Sequence, residues 1–239
     1  MIATQFSGLS FLSNWRTKIT YFLITPLIDL MLLVLINLQY TKQFDWRVVI
    51  ASIAIDAARL SMQTMNQLLV NDSDLRVDFE LIAKRPFSLR FWLAKSLVAG
   101  VIGTTLALIN LLLTFCFGAP LSIICRGLFL LPLFCLYGTV LGFATWALSW
   151  QMNDPYFLQN IVSGITEIAA GILIVITAYP KWLQLFALLL PYSSPVNFIK
   201  FGTASLGGSA ITTAIWLAIG LLAYVLQIRP VLARGKHRY

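Results

Sequence analysis

Six long apolar runs divide the chain, and polar or charged residues gather between them. The runs cover residues 19–38, 48–70, 97–117, 121–150, 156–179 and 210–228. A helix needs on the order of 20 mostly apolar residues to cross the roughly 30 Å hydrocarbon core of a bilayer. The runs do not alternate apolar and polar residues, as the strands of a membrane barrel do. The pattern predicts an all-α integral membrane protein of about six spanning helices, built as one domain of residues 1–239.

Composition and charge agree with this prediction. Hydrophobic residues fill 59% of the 239 positions and charged residues only 11%, whereas soluble proteins carry about 25% charged residues. The net charge of +8 does not indicate nucleic acid as a partner, because the basic residues lie between the apolar runs instead of on one soluble face. Cytoplasmic loops are enriched in Lys and Arg. That rule predicts a multi-pass protein of the cell membrane, in contact with lipid, with both termini and the basic tail 229–239 in the cytoplasm.

The residues before the first run form a leader, 1–18. Within it Ile2, Phe6, Leu9 and Leu12 recur at near-helical spacing. Such spacing is typical of a helix that lies along the membrane interface. A disordered leader is the alternative that the same pattern allows.

The cysteines do not indicate a metal site. Cys116, Cys125 and Cys135 lack the paired spacing of metal ligands, so we predict no metal in this chain. We expect buried free thiols, with a disulfide between the first two as the alternative.

The stretch 71–88, between the second and third runs, is the most informative polar segment. Good N-cap residues occupy 72–74, and Leu75, Phe79 and Ile82 follow at helical spacing until Pro86. These features predict a short amphipathic helix on the cytoplasmic face, and a solvated connector is the alternative.

This stretch resembles the cytoplasmic coupling segment of the permease subunits of type-2 ABC exporters. In that family an acid is commonly followed six residues later by a proline, as Glu80 is here by Pro86. Arg76 precedes the acid, and residues 85–88 lead into the third helix. The Gly-Thr pair that often comes before the acid is replaced by Val-Asp at 77–78. The resemblance places a coupling segment at 71–92.

The segment 180–208, between the last two runs, adds to the resemblance. Its apolar run 185–190 is too short to span a membrane and is bounded by Pro180, Pro191 and Pro195. This pattern predicts a re-entrant or interfacial helical hairpin on the outer surface. Type-2 permeases are similar in carrying such prolines before their last helix.

The resemblance implies a transmembrane subunit of an ATP-driven exporter. Two copies, or one copy and a relative, would enclose the translocation path above two ABC ATPase subunits. The residues implied in ATPase coupling are Arg76, Phe79, Glu80, Ile82, Arg85, Pro86 and Phe87. The sequence contains no Gly-x-x-x-x-Gly-Lys-Ser/Thr loop. We therefore expect ATP and Mg on a partner chain, and no cofactor or catalytic residue in this one.

Four ionisable residues fall inside the predicted spans: Asp29, Asp56, Arg59 and Glu167. A charge at the bilayer centre costs about 2.5–3.5 kcal/mol on insertion scales, so each needs a partner or water. Asp56 and Arg59 are three residues apart and share a helix face, so they can pair. We take Asp56, Arg59 and Glu167 as candidates for the substrate path or a subunit interface, with simple ion pairing and helix packing as the alternatives. No function is predicted for Asp29.

Two other function classes remain as alternatives. An ion-driven secondary transporter is compatible with the charges in the spans, although no internal repeat is found. A membrane-embedded lipid enzyme is a weaker alternative, because the single histidine, His237, has no nucleophile or acid cluster around it in the sequence.

Gly138 and Gly142, one helical turn apart, predict close helix packing.

Overall fold

The structure is a computed structural model that describes residues 5–6, 8–74, 87–150, 152–174 and 176–235. The helices with described bounds are α1 (Trp15–Thr41), α2 (Trp46–Asp74), α3 (Leu89–Cys116), α4 (Leu121–Ser149), α5 (Phe157–Ala170), α6 (Lys181–Leu188), α7 (Ser193–Phe201) and α8 (Gly207–Gly235). Helix α1 contains a π-helical turn at Thr20–Ile24. Short 3₁₀ turns lie at Ser10–Leu12 and Ile176–Ala178.

Five of these helices are long and apolar enough to cross a membrane: α1, α2, α3, α4 and α8. They confirm the all-α membrane prediction and five of the six predicted runs. Helix α3 begins at Leu89 instead of residue 97, because Arg90 and Lys95 interrupt an apolar run but are good helix formers.

The fifth predicted run is wrong as one continuous helix over 156–179. Helix α5 has only 14 residues, which gives a length of about 21 Å, less than the hydrocarbon core. It ends because Gly171 adopts a left-handed conformation with φ of +71°, a conformation that glycine adopts without a steric penalty.

Helix α2 forms the centre of the bundle, with 89% of its apolar span buried. It packs mainly against α4 and α3, and also against α1 and α5. Gly138 and Gly142 of α4 lie directly against the backbone of α2 at Ala58 and Met62, so the predicted packing face is confirmed.

Contacts between helix ends define two ends of the bundle. At the loop end, where α2 ends and α3 begins, Asn71 donates to the Gly8 carbonyl at 2.9 Å, and Gln227 near the end of α8 donates to the Ala147 carbonyl at 2.7 Å. At the hairpin end lie α6, α7 and Gly202, close to the Arg126 side chain. The leader and the end of α8 thus lie at the same end of the bundle.

The described part of the leader packs on the bundle. Leu9 is fully buried and Phe11 nearly so, in a cluster with Leu60 and Leu68 of α2 and Val98 of α3. Residues 1–4 and 7 lie outside the described residues, and a membrane-surface position for the leader stays a prediction. All three cysteines are free, as predicted, but the predicted burial is wrong for Cys116 and Cys125, which lie at exposed positions near the ends of α3 and α4; only Cys135 is buried.

Candidate functional site

An ion cluster joins α1, α2 and α5 in the middle of the bundle. Arg59 of α2 lies at its centre, and its guanidinium donates to Asp29 of α1 at 3.1 Å and to Glu167 of α5. Asp56, one turn earlier on α2, is 3.6 Å from the same guanidinium. A single arginine therefore connects three carboxylates from three helices.

The register of α5 against α2 brings Glu167 to this place. Asn66 donates to Gln159 at 2.6 Å, nearer the loop end, and Arg59 meets Glu167 farther along. As the numbers fall along α2 they rise along α5, so the two helices are antiparallel. The polar pair Asn66–Gln159 and the ion pair Arg59–Glu167 fix this register together.

The three candidate residues Asp56, Arg59 and Glu167 are thus brought together. The predicted contact between Asp56 and Arg59 exists, but it is the longest of the three ion pairs. Asp29, for which no function was predicted, belongs to the same cluster. Its only sequence signal is a carboxylate inside an apolar run, which demands a partner without saying which one.

The cluster holds more negative than positive groups. Asp29, Asp56 and Glu167 each offer one carboxylate oxygen within 4.8 Å of the others, and among the described residues Arg59 is the only cation paired with them. Asp56 is 6% exposed, and its Oδ2 has no hydrogen-bond partner in the described part of the chain.

A cavity of about 590 Å³ opens beside the cluster. Its polar lining is Thr20, Thr25, Asp29, Asp56, Arg59, Gln63, Thr64, Gln67 and Gln159. Its apolar and aromatic lining includes Phe11, Tyr21, Leu60, Leu106 and Tyr156. The α2 residues recur every three or four positions from 56 to 67, so the cavity follows one face of α2 from the cluster toward the loop end.

The predicted coupling residues Arg76, Phe79, Glu80, Ile82, Arg85 and Pro86 lie outside the described residues, and their roles stay predictions. Phe87 is described and is exposed. Its ring makes an edge contact with Tyr224 of α8, at 6.1 Å between centroids. Trp92 of α3 in turn contacts Tyr224 and Phe143 of α4, both at 5.1 Å. Phe87, within the predicted coupling segment, therefore touches an aromatic cluster that joins three long helices.

A buried lysine just after the predicted coupling segment pairs with an aspartate at its start. Lys95 of α3 is fully buried, forms an ion pair with Asp72 of α2 at 2.9 Å, and donates to the Leu68 carbonyl at 2.6 Å. It also contacts the Gln5 side chain at 3.2 Å. Because Asp72 lies at the start of the predicted 71–92 segment and Lys95 lies just after its end, their pairing holds the two sides of the segment together. Sequence reasoning missed this pair, since neither residue is unusual for a polar loop.

At the hairpin end, hydrogen bonds connect the segment that contains α6 and α7 to α8 and to the end of α5. Trp216 of α8 donates to the Leu189 carbonyl at 2.7 Å. Lys200 of α7 donates to the carbonyl of Gly171, the residue that ends α5, at 2.9 Å. The segment 180–208 contains two short helices, α6 and α7, and their arrangement as a re-entrant or interfacial hairpin stays a prediction.

Burial gives Lys200 an altered pKa. It lies outside the five candidate spans and is 6% exposed. Desolvation lowers the pKa of its ammonium from 10.5 to about 8, and the nearby charge of Asp45 offsets only part of this effect. The neutral amine still donates to the Gly171 carbonyl.

We expect the free energy of unfolding to rise with pH between about 8 and 10.5. In that window the unfolded chain keeps the Lys200 proton and the folded chain does not, so stability increases by up to about 1 kcal/mol per pH unit. Thermal unfolding of purified protein across this range, compared with Lys200→Met, measures the effect. Lys181→Met, at an exposed position of α6, should keep the slope. An unchanged slope in Lys200→Met would contradict the assignment.

Comparisons of this chain with family models, with curated proteins and with solved structures find no match.

Proposed function

We propose that this chain is the membrane-spanning subunit of an ATP-driven exporter, and that a separate chain supplies the ATPase. The observation that carries the proposal is the order of elements along the bundle. A charged segment follows α2 at the loop end, and a pair of short helices lies between α5 and α8 at the hairpin end. This order matches the permease pattern that the sequence resembles.

The contacts at the loop end support a coupling role for this segment. The Asp72–Lys95 pair joins the start of the segment to the residues just after it, and Phe87 within the segment contacts Tyr224. Trp92 connects Tyr224 with Phe143, so a displacement of the segment is passed to α3, α4 and α8 together. A docking surface for an ATPase needs such a rigid connection to the spanning helices.

The ion cluster and its cavity supply a candidate path. Asp29 and Glu167 are each about one-third exposed, and α1 covers little of its own apolar surface against the bundle. A second copy of the chain, or a relative, placed against α1 and α5 would enclose this polar face. Substrate would then pass between the two subunits.

The proposal is tested first by purification from cells that also express the candidate ATPase. We expect a vanadate-sensitive ATPase to purify with the chain and to be lost when Glu80 and Arg85 are both replaced by alanine. The matched control replaces two exposed charges at the hairpin end, Arg47 and Lys181, and should keep the ATPase. Equal loss in both double variants would contradict a specific coupling surface.

An ion-driven secondary transporter is the second candidate, favoured by the three carboxylates around Arg59. Transport by the purified chain alone, in vesicles with a proton or sodium gradient and no ATP, would establish it and overturn the exporter proposal. The exporter proposal predicts outward, ATP-dependent transport. A fluorescent amphiphile should therefore accumulate less in cells that express this chain together with its ATPase than in cells that lack both.

A further inference from the structure

We propose that the cavity beside Arg59 binds an amphiphilic organic cation, with its ammonium or guanidinium group at the carboxylates of Asp29 and Asp56, which line the cavity, and its apolar body along the aromatic residues of the lining. Only the identification of this ligand as the transported substrate rests on the proposed function. The binding itself follows from four features of the cavity: its charge, its unpartnered polar atoms, its size and its shape.

Charge is the first feature. Three carboxylates share one guanidinium in the described part of the cluster. Buried charges are costly unless they are paired. A cationic ligand would supply positive charge that the described residues lack, whereas an anionic ligand would add to the excess of negative charge.

Unpartnered polar atoms are the second feature. Asp56 lines the cavity, is more than nine-tenths buried, and its Oδ2 lacks a hydrogen-bond donor among the described residues. Thr64, two helical turns along, also lines the cavity, is fully buried, and its Oγ1 has no partner within the described chain. Buried polar atoms are rarely left unpaired. Both atoms are suited to hydrogen bonds with a ligand that carries an N–H donor and a second polar group.

Size distinguishes an organic ligand from a metal ion. The carboxylate oxygens are close enough to hold a metal, but Arg59 already donates to Asp29 and Glu167. A bare ion would also leave most of the 590 Å³ unfilled, whereas cavities of about 300–1,000 Å³ are typical of sites for small organic molecules.

The shape of the cavity gives the ligand a direction. From Asp56 to Gln67 the lining follows about 16 Å of α2. The charged cluster lies at one end, and Gln67 and Gln159 lie toward the loop end. Phe11, Tyr21 and Tyr156 supply aromatic surface beside this route, on which a cation and an apolar chain both pack favourably. The ligand is therefore a molecule with a cationic head and an apolar body.

Dansylcadaverine, a primary alkylammonium joined to an aromatic fluorophore, is a suitable probe. Its fluorescence is measured with the purified chain in zwitterionic lipid nanodiscs, and empty nanodiscs give the blank. We expect saturable binding of the amine and at least tenfold weaker binding of its uncharged N-acetyl derivative. Asp56→Asn should weaken binding of the amine at least tenfold, and Thr64→Val about fivefold through loss of one hydrogen bond.

Asp45→Asn is the matched control. It removes the same charge at the hairpin end and keeps an N-cap residue before α2, so binding should be unchanged. If Asp56→Asn does not fold, the comparison of the amine with its N-acetyl derivative and the Thr64→Val variant decide the question. Equal binding of both derivatives, equal weakening by Asp45→Asn, or displacement of the amine by Ca²⁺ or Mn²⁺ through the carboxylates would overturn the proposal. The assay contains no ATPase, so binding without a co-purifying ATPase supports this site while the exporter proposal fails.

Discussion

Replacing Gly138 by alanine is expected to destabilise the folded protein by about 3 kcal/mol, the upper end of the usual cost of overpacking. A Cβ at Gly138 would lie 2.1 Å from the Ala58 carbonyl oxygen of α2. Because that atom belongs to the backbone, no side-chain rotation relieves the overlap, and α2 and α4 must separate. These helices form the most extensive contact of the bundle, so the separation affects the whole core.

A control for the Gly138 variant exists within α3. Gly100 has open space where a Cβ would be placed, whereas a Cβ at Gly103, one turn later, would lie 2.4 Å from the Ala57 carbonyl oxygen. We expect Gly100→Ala to be neutral or to stabilise by up to about 1 kcal/mol through helix propensity, and Gly103→Ala to be destabilising. Unfolding of the three variants in one detergent measures the difference. Equal stabilities for all three would show that the helices do not pack as closely as described.

The sequence predicted the long helices well because a membrane span is specified locally. A sufficient run of apolar residues demands a helix whatever its neighbours are. The prediction was wrong for α5 because Gly171 lies inside an apolar run, and hydropathy does not distinguish a glycine within a helix from one that ends it. Only the positive φ and the Lys200 contact with its carbonyl reveal the break.

The sequence indicated which residues belong to the ion cluster better than it indicated how they are arranged. Asp56, Arg59 and Glu167 are conspicuous as charges within apolar runs. Their arrangement depends on pairs far apart in the chain, Arg59 with Asp29 and with Glu167, and spacing along one helix says nothing about such pairs. The sequence therefore favoured the local Asp56–Arg59 pair, which is the longest of the three contacts.

The second large effect is expected from Arg59→Met, which removes the one cation paired with the cluster in the described chain. Asp29, Asp56 and Glu167 would then lie within a few ångströms of one another without a positive partner. Breaking a buried ion pair by removing one member typically costs about 3–5 kcal/mol, because the remaining charge is left uncompensated. We expect a loss of that size in the free energy of unfolding, measured in the same detergent as the glycine variants.

A compensating variant separates charge from shape. Adding Asp29→Asn and Glu167→Gln to Arg59→Met removes the repulsion while keeping side chains of nearly the same size, so most of the lost stability should return. Arg90→Met, at an exposed position of α3, removes a positive charge outside the cluster and should change stability by no more than about 0.5 kcal/mol. If the triple variant stays as unstable as Arg59→Met, Arg59 supports the bundle through packing, and the three carboxylates do not depend on its charge.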